Sequence, residues 1–342
     1  LIENKSFKKK YAYIILSNEL DSFCQYTSND SENIIVNTSI LEQIIEYCKK
    51  NSIIPIFNCI VEDKYIRKGI VLSHCKAQCD APFKCEVVYD KDIDNLGIHK
   101  DCQSVVFISE TNNICNLASN IIKIFNSYPN NTNINLFFKD SYAFTNDLLI
   151  NYISQLKKIS EYIFTQWSKE NIVNLNVLTH LFFNKSVSGC GAGGDLIAID
   201  AEGTIYICPA FYFDETLKCD GMIGHVNGEQ KRKIDHLCKP NKLFICRECT
   251  ATHCTQCTYL NKKYTGEYCV PPEIQCIKSN IEREISLKLF KDLVKAGFPM
   301  YNIPNYSHML DVKLDPIAVE RPKQKINKYD VEMLQAMLEQ YD

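Results

Sequence analysis

The sequence has little that would direct the protein to a membrane or to nucleic acid. Its 342 residues carry a formal net charge of −3, which gives no electrostatic reason to expect nucleic acid or an anionic membrane as a partner. No uninterrupted apolar run approaches the roughly 20 residues that a bilayer-spanning helix needs. The lysines near the start are not followed by the apolar segment of a secretory signal. We therefore predict a cytoplasmic protein.

The sequence also lacks any recognisable set of catalytic side chains. No carboxylate pair, Ser/His/Asp set or Cys/His dyad can be identified from spacing alone, so no catalytic residue is assigned. The composition, 46% hydrophobic and 23% charged, is that of a globular protein with one large or two ordinary domains.

Cysteine, in contrast, is abundant. In a cytoplasmic protein, 18 cysteines favour metal or redox roles over a disulfide framework. Cys48, Cys59, Cys102 and Cys115 lie in or beside apolar patterns and are predicted to be small core residues. Ten others lie within one quarter of the chain: Cys190, Cys208, Cys219, Cys238, Cys246, Cys249, Cys254, Cys257, Cys269 and Cys276.

Four of the ten form a compact run of two CxxC turns, from Cys246 to Cys257, separated by four residues. A CxxC turn directs two sulfurs toward one metal centre. Zinc sites built from two such turns usually separate them by about 15–20 residues, so this run is easier to satisfy if its cysteines are shared between two centres. Spacing alone does not distinguish iron from zinc. His253, beside Cys254, is predicted to act near a metal centre or in solvent rather than as a ligand.

The spacing upstream of the run carries a resemblance to a known domain. Cys190 is followed after twelve residues by Gly203, and Gly203 after four by Cys208. This pattern resembles the SPASM domain, a C-terminal extension of many radical-SAM peptide-modifying enzymes that holds two auxiliary 4Fe–4S clusters. The family has gaps of five and three residues within its CxxC run, where this chain has four and two.

The resemblance implies two sets of cluster ligands. The first cluster would be held by Cys190, Cys208 and Cys257, with Cys219 or Cys238 as the fourth ligand or with an open position. The second would be held by Cys246, Cys249, Cys254 and a downstream cysteine, for which spacing favours Cys276 over Cys269.

Residues 1–187 alternate between strand and helix patterns, which predicts an α/β domain with a parallel sheet and right-handed crossovers, arranged as a partial barrel. Pro55 within the second strand pattern predicts an edge strand or a bulge. Predicted strands cover 11–16, 53–61, 104–108, 135–138 and 172–178, and predicted helices cover 39–50, 114–128 and 146–167. A hairpin is predicted at 196–208, and further helices at 279–296 and 329–341.

The radical-SAM comparison also demands a CxxxCxxC motif after the first strand, whose three thiolates bind the cluster that holds S-adenosylmethionine (SAM). At that place the chain has Ser17, Asp21 and Cys24, so one ligand of three is present and SAM is not expected. Cys75, Cys79 and Cys85 have the right first gap but a longer second one. They are interpreted as a cysteine-rich loop, with a relocated cluster or a zinc site as the alternative.

The chain is similar to the CXXX repeat peptide maturases, on the residues YAYIILSNELDSFCQY at 11–26 and SGCGAGG at 188–194 with AEGTIYICPAF at 201–211. The resemblance implies a degenerate or partial radical-SAM-like (β/α) barrel at 1–187, a cysteine-rich SPASM iron–sulfur domain at 188–280 and a C-terminal helical extension at 281–342. It also implies a Cys-rich, ribosomally made precursor peptide with Cys-x-x-x repeats as partner.

Three functions stay open. In the first, the chain is the iron–sulfur component of a maturation system, and a separate radical-SAM enzyme generates the radical. In the second, the chain is a self-sufficient maturase with an atypical SAM cluster. In the third, it is a zinc-stapled binding or scaffold protein. The order of preference is as given.

Overall fold

The computed structural model of the chain describes residues 10–16, 38–58, 62–66, 69–74, 84–98, 102, 104–128, 133–139, 141–169, 171, 173–179, 182, 191–228, 246, 249–251, 253–254 and 256–298. Some sequence predictions concern residues outside these ranges, or residues whose side chains are not described. They are Ser17, Asp21, Cys24, Cys59, Cys75, Cys79, Cys85, Cys190, Cys238 and the helix at 329–341.

The described strands form one ten-stranded sheet. The strands are β1 (Lys10–Ile14), β2 (Ile53–Phe57), β3 (Ile70–His74), β4 (Lys84–Tyr89), β5 (Ser104–Ser109), β6 (Asn133–Phe138), β7 (Asn174–Leu175), β8 (Leu196–Ile199), β9 (Thr204–Tyr206) and β10 (Met222–His225). Their spatial order is β10-β9-β8-β1-β2-β3-β4-β5-β6-β7. Strands β1 to β7 are parallel and follow chain order, as in a partial (β/α) barrel.

Helices alternate with these strands, which confirms the predicted α/β class. They are α1 (Thr38–Lys50), α2 (Asp63–Ile66), α3 (Leu117–Ser127), α4 (Asn146–Trp167), α5 (Pro209–Phe213), α6 (Lys218–Gly221), α7 (Thr258–Thr265) and α8 (Glu273–Lys295), with 3₁₀ helices at Asp90–Asn95 and Thr111–Asn116. Helix α4 has the predicted bounds, and the Thr145 hydroxyl caps its start by accepting from the Leu148 N–H. Within the described part of the chain, no helix is both long enough and apolar enough to cross a bilayer.

The prediction that Pro55 marks an edge strand or a bulge is wrong. Strand β2 lies inside the sheet, and its register with β1 is unbroken, with Pro55 opposite Ala12. Proline is tolerated because the ladder between β2 and β3 begins only at Ile56, after the residue that lacks an N–H. Gly69 allows the close approach, since a Cβ there would lie 2.3 Å from the Pro55 carbonyl oxygen.

Two elements near the cysteine-rich segment differ in length from their predictions. Strand β7 has two residues instead of seven, because the chain turns at Asn176–Thr179, where the Thr179 N–H donates to the Leu175 carbonyl at 2.8 Å. Helix α8 begins at Glu273, directly after Pro272, rather than at Ser279. It therefore contains Cys276 and continues across the proposed segment boundary at 280/281.

The sheet buries apolar side chains on both faces. On β1, Ala12 and Ile14 pack in one cluster with α1 and the β8–β9 hairpin. Tyr13 and Ile15 point to the opposite face, where they meet β4 and β5. This two-sided burial is expected of a parallel strand, and it makes β1 the element that joins the barrel to the hairpin.

Two of the cysteines predicted to lie in the core do so. Cys48 on α1 and Cys102 before β5 are buried. Cys115 is exposed, and the prediction is wrong for it because it lies in a 3₁₀ helix rather than in an α-helix. A 3₁₀ helix repeats every three residues, so Thr111 and Ile114 are buried while Cys115 faces solvent.

Asp214 connects the hairpin region to helix α7. It follows α5 and accepts hydrogen bonds from the Thr216 hydroxyl at 2.6 Å, the Tyr259 hydroxyl at 2.7 Å and the Lys263 ammonium at 3.0 Å. Burial raises the pKa of Asp214, but these hydrogen bonds and the charge of Lys263 outweigh it and hold the pKa below its ordinary value.

Replacing Asp214 with asparagine is expected to reduce stability by about 1–3 kcal/mol at pH 7, the usual range for hydrogen bonds to a charged group. The folded pKa is depressed, so the carboxylate stabilises the fold above the unfolded pKa of about 3.9, and this contribution is lost as the pH falls through the folded pKa. Melting temperatures of wild type and Asp214→Asn should therefore converge on acidification. Asp94→Asn, which breaks an exposed ion pair with Lys123, should change the melting temperature little at any pH.

Candidate metal centre

The hairpin that carries Cys208 forms as predicted. Strands β8 and β9 are antiparallel, and Gly203 in the turn between them has a φ of +89°, which a side chain would disfavour. The Asp200 carboxylate accepts the Glu202 and Thr204 N–H groups at 3.0 and 2.8 Å and so closes the turn. Cys208 follows β9 at the start of α5, where it is buried in the same cluster as β1.

The CxxC run gathers thiols in one place. The Cys249 N–H donates to the Cys246 carbonyl at 3.4 Å, and the Cys254 N–H to the Ala251 carbonyl at 2.9 Å, so the backbone turns between Cys246 and Cys249 and again between Ala251 and Cys254. Burial raises the pKa of Cys246 to about 12, and the neighbouring thiols of Cys254, Cys249 and Cys269 contribute to the rise in that order. Cys269 is thus within electrostatic reach of the run, whereas spacing favoured Cys276, and both stay candidates.

A second group of thiols surrounds Tyr142, which follows β6. Its ring stacks on Tyr264 of α7, with centroids 3.4 Å apart. Its hydroxyl is buried without a hydrogen-bond partner among the described residues. Burial raises the pKa of Tyr142, and Cys257, Tyr264, Cys276 and Cys254 add to the effect. A buried hydroxyl without an acceptor, next to three thiols, suits a site that receives a sulfur-rich group.

A buried polar network lies behind Cys254. Glu282 on α8 is 4% exposed and accepts from the Tyr152 hydroxyl at 2.6 Å, and its other carboxylate oxygen lies 2.8 Å from His253 Nε2. Burial raises the pKa of Glu282, but His253, Lys278 and Tyr152 outweigh it and lower the pKa overall. His253 therefore bonds to a carboxylate next to the cysteine run and does not face solvent.

Helix α8 contributes further groups that sequence reasoning missed. Gln275 Nε2 donates to Cys254 Sγ at 3.6 Å and to the Ser279 hydroxyl at 3.2 Å. Together with Lys278, these residues line a cavity of about 40 Å³ that also touches Cys254 and His253. The sequence signal for these groups was the spacing of the polar residues at 275, 278, 279 and 282, which places them on one helical face. The predicted helix began at 279 and therefore left out 275 and 278.

Among the described side chains, no three His, Cys, Asp or Glu residues are arranged to hold a single metal ion. A tetrahedral zinc ion with Zn–S distances of about 2.3 Å requires sulfurs about 3.8 Å apart. A four-iron cluster is a larger body that keeps its thiolates further apart, and soft thiolates suit it. Thiolates such as those of Cys246, Cys249, Cys254 and Cys269 are the ligand type that such a cluster uses. Cys219 lies exposed on α6.

Comparisons with known proteins place the fold. No protein-family model and no curated protein matches the sequence. Among solved structures, the chain resembles native anSMEcpe with bound AdoMet and the Cp18Cys peptide, with 12% identity, a TM-score of 0.57, and coverage of 83% of this chain and 99% of that one. It also resembles native anSMEcpe with bound AdoMet alone, with 11% identity, a TM-score of 0.56, and coverage of 86% and 100%.

The structural likeness defines the class of fold. The α/β architecture with its parallel sheet, which the sequence predicted, matches that of the anSMEcpe structures. A sequence identity of 12% supports a shared fold but not a shared chemistry. Any substrate, cluster or use of SAM is therefore inferred from this chain's own residues.

Proposed function

We propose that the chain is the iron–sulfur component of a cytoplasmic peptide-maturation system that acts on a ribosomally made precursor with Cys-x-x-x repeats. The observation that carries the proposal is the gathering of Cys246, Cys249, Cys254 and Cys269 within a fold shared with radical-SAM/SPASM enzymes. A buried carboxylate network lies next to Cys254, and polar groups behind the ligands are what orients them at a metal centre.

Two 4Fe–4S clusters would be held by separate thiol sets. Cys190, Cys208 and Cys257 would hold the first, with Cys219, Cys238 or an open position completing it. Cys246, Cys249 and Cys254 would hold the second, with Cys269 or Cys276 as the fourth ligand. When bound, such clusters supply one-electron transfer.

The radical would come from a partner. Ser17 and Asp21 occupy two of the three ligand positions of the SAM cluster motif, and neither supplies the thiolate that iron–sulfur ligation uses. The proposed partners are therefore a Cys-rich precursor peptide and a separate radical-SAM enzyme. This chain would bind the precursor, and it would be the non-SAM-cleaving subunit of the maturase.

A second candidate function is a self-sufficient radical-SAM maturase. It is favoured by one observation, that the similar anSMEcpe structures carry AdoMet. In this alternative an atypical third cluster would use Cys24, or Cys75, Cys79 and Cys85. Because this alternative needs a third cluster, it predicts a higher iron content than the first proposal does.

The test is to measure the amounts of iron, acid-labile sulfide and zinc per chain in protein purified without oxygen. The expected result is about eight irons with matching sulfide for two four-iron clusters. Cys246→Ala should lose about half of this iron, because it removes a ligand of the second cluster only. Cys24→Ala, the matched control, should retain the full amount.

Two other results would contradict the proposal. About twelve irons, with a part lost in Cys24→Ala, would establish a third cluster and favour the self-sufficient maturase. Zinc without acid-labile sulfide would identify a zinc-stapled scaffold protein instead, and Cys246→Ala would then lose zinc.

A further inference from the structure

The buried face of helix α8 changes character along its length. Its second half is apolar, with Ile285, Leu289 and Leu293 packed in the main core. Its first half presents Gln275, Lys278, Ser279 and Glu282, which share one helical face and line the cavity beside Cys254. A helix that only packed would continue its apolar stripe, so this polar half calls for a separate explanation.

Lys278 is the residue of this face whose burial is energetically least favourable. It is 5% exposed, and its ammonium lies 4.6 Å from the Phe138 ring centroid, 4.8 Å from that of Phe144 and 5.8 Å from that of Tyr152. The rings attract the cation but accept no ordinary hydrogen bonds from it. Lys278 lines the cavity beside Cys254, and among the described residues no hydrogen-bond acceptor meets its ammonium, so a negative group in that cavity would stabilise its charge.

The carboxylate of Glu282, on the same face, does not fill this role. Both oxygens of Glu282 are engaged, one by the Tyr152 hydroxyl and the other by His253, and within the described part of the chain no ion pair within 4 Å joins Glu282 to Lys278. Lys278 and Cys254 line the same cavity. An anionic group at Cys254 would give the ammonium a counter-charge.

Cys254 is already surrounded by donors. Gln275 Nε2 donates to its sulfur at 3.6 Å and to the Ser279 hydroxyl at 3.2 Å, and both residues line the cavity beside it. Donors that favour the thiolate also favour a metal-bound sulfur, because both carry more negative charge than the neutral thiol.

We propose that Gln275, Lys278 and Ser279 stabilise the negative charge of a 4Fe–4S cluster held through Cys254 and thereby raise its reduction potential. The inference rests on the proposed function, since it requires that cluster. One-electron reduction makes a cluster more negative, so a nearby ammonium and N–H···S hydrogen bonds favour the reduced form. The three residues act through the ligand and its cluster and take no part in bond making.

The experiment is a redox titration with dithionite as the electron donor, followed by electron paramagnetic resonance, on the full chain with both clusters. In Lys278→Met, the cluster that is lost in Cys246→Ala should titrate at a more negative potential than in wild type, and the other cluster should not shift. Lys291→Met, which removes an exposed lysine of the same helix, should leave both potentials unchanged. Gln275→Leu should shift the same cluster in the same direction by a smaller amount, because it removes an uncharged donor.

Equal potentials in wild type, Lys278→Met and Gln275→Leu would overturn the inference while the proposed function stands. A shift of equal size in Lys291→Met would also overturn it, because the effect would then be one of overall charge. If Lys278→Met binds no cluster, the reduction potential measured in Gln275→Leu decides whether the inference holds. A wild-type chain without iron would overturn the proposed function, and this inference with it.

Discussion

Replacing Glu282 with alanine is expected to lower the free energy of unfolding by about 3–5 kcal/mol, the range found when one member of a buried charge network is removed. The variant would leave the Tyr152 hydroxyl and His253 Nε2 without their partner and would remove a negative charge that acts on Lys278. Urea titration of anaerobically purified protein, followed by circular dichroism, measures the change.

Two further variants show whether the loss comes from the network. Glu161→Ala removes an exposed glutamate from helix α4 and should change stability by no more than about 0.5 kcal/mol. Glu282→Gln keeps a hydrogen-bonding atom at each carboxylate oxygen position, so its loss should lie between the two. A loss of less than about 1 kcal/mol in Glu282→Ala would mean that the network does not stabilise the fold.

The chain alone is expected to produce no 5′-deoxyadenosine from SAM under reducing conditions, because two of the three thiolates of the SAM cluster motif are absent. The double variant Ser17→Cys, Asp21→Cys rebuilds the CxxxCxxC spacing with Cys24. It should bind about four more irons than wild type, and SAM cleavage should appear only in that variant. Anaerobic chromatography of the reaction products and iron analysis measure both effects.

The single variants Ser17→Cys and Asp21→Cys are the matched controls, because each leaves the motif one thiolate short and should gain no iron. Release of 5′-deoxyadenosine by the wild-type chain would contradict the expectation. It would place SAM chemistry in this chain, and the self-sufficient maturase would become the preferred function.

The elements that local patterns determine were predictable. Helix α4 has its predicted bounds because its apolar residues recur at helical spacing and Thr145 supplies the cap. The hairpin around Gly203 follows from alternating strands and a residue suited to positive φ. Alternation of strands and helices was enough for a parallel sheet. The cysteine run predicts where a metal centre would lie, because ligand spacing is a property of the chain itself.

Contacts between distant residues were decided by the tertiary structure alone. Pro55 lies inside the sheet only because β3 begins its pairing one residue later. Tyr152 and Glu282 meet across 130 residues of sequence, and no local periodicity encodes such a contact. Lys278 reads as an ordinary surface residue in the sequence, and it is the packing of α8 against β6 and α4 that encloses it among three rings. The sequence by itself thus determined the helices and strands and the candidate ligand residues. The fold decided which charged side chains are buried beside those candidates, because burial depends on what packs against a residue rather than on its neighbours in the chain.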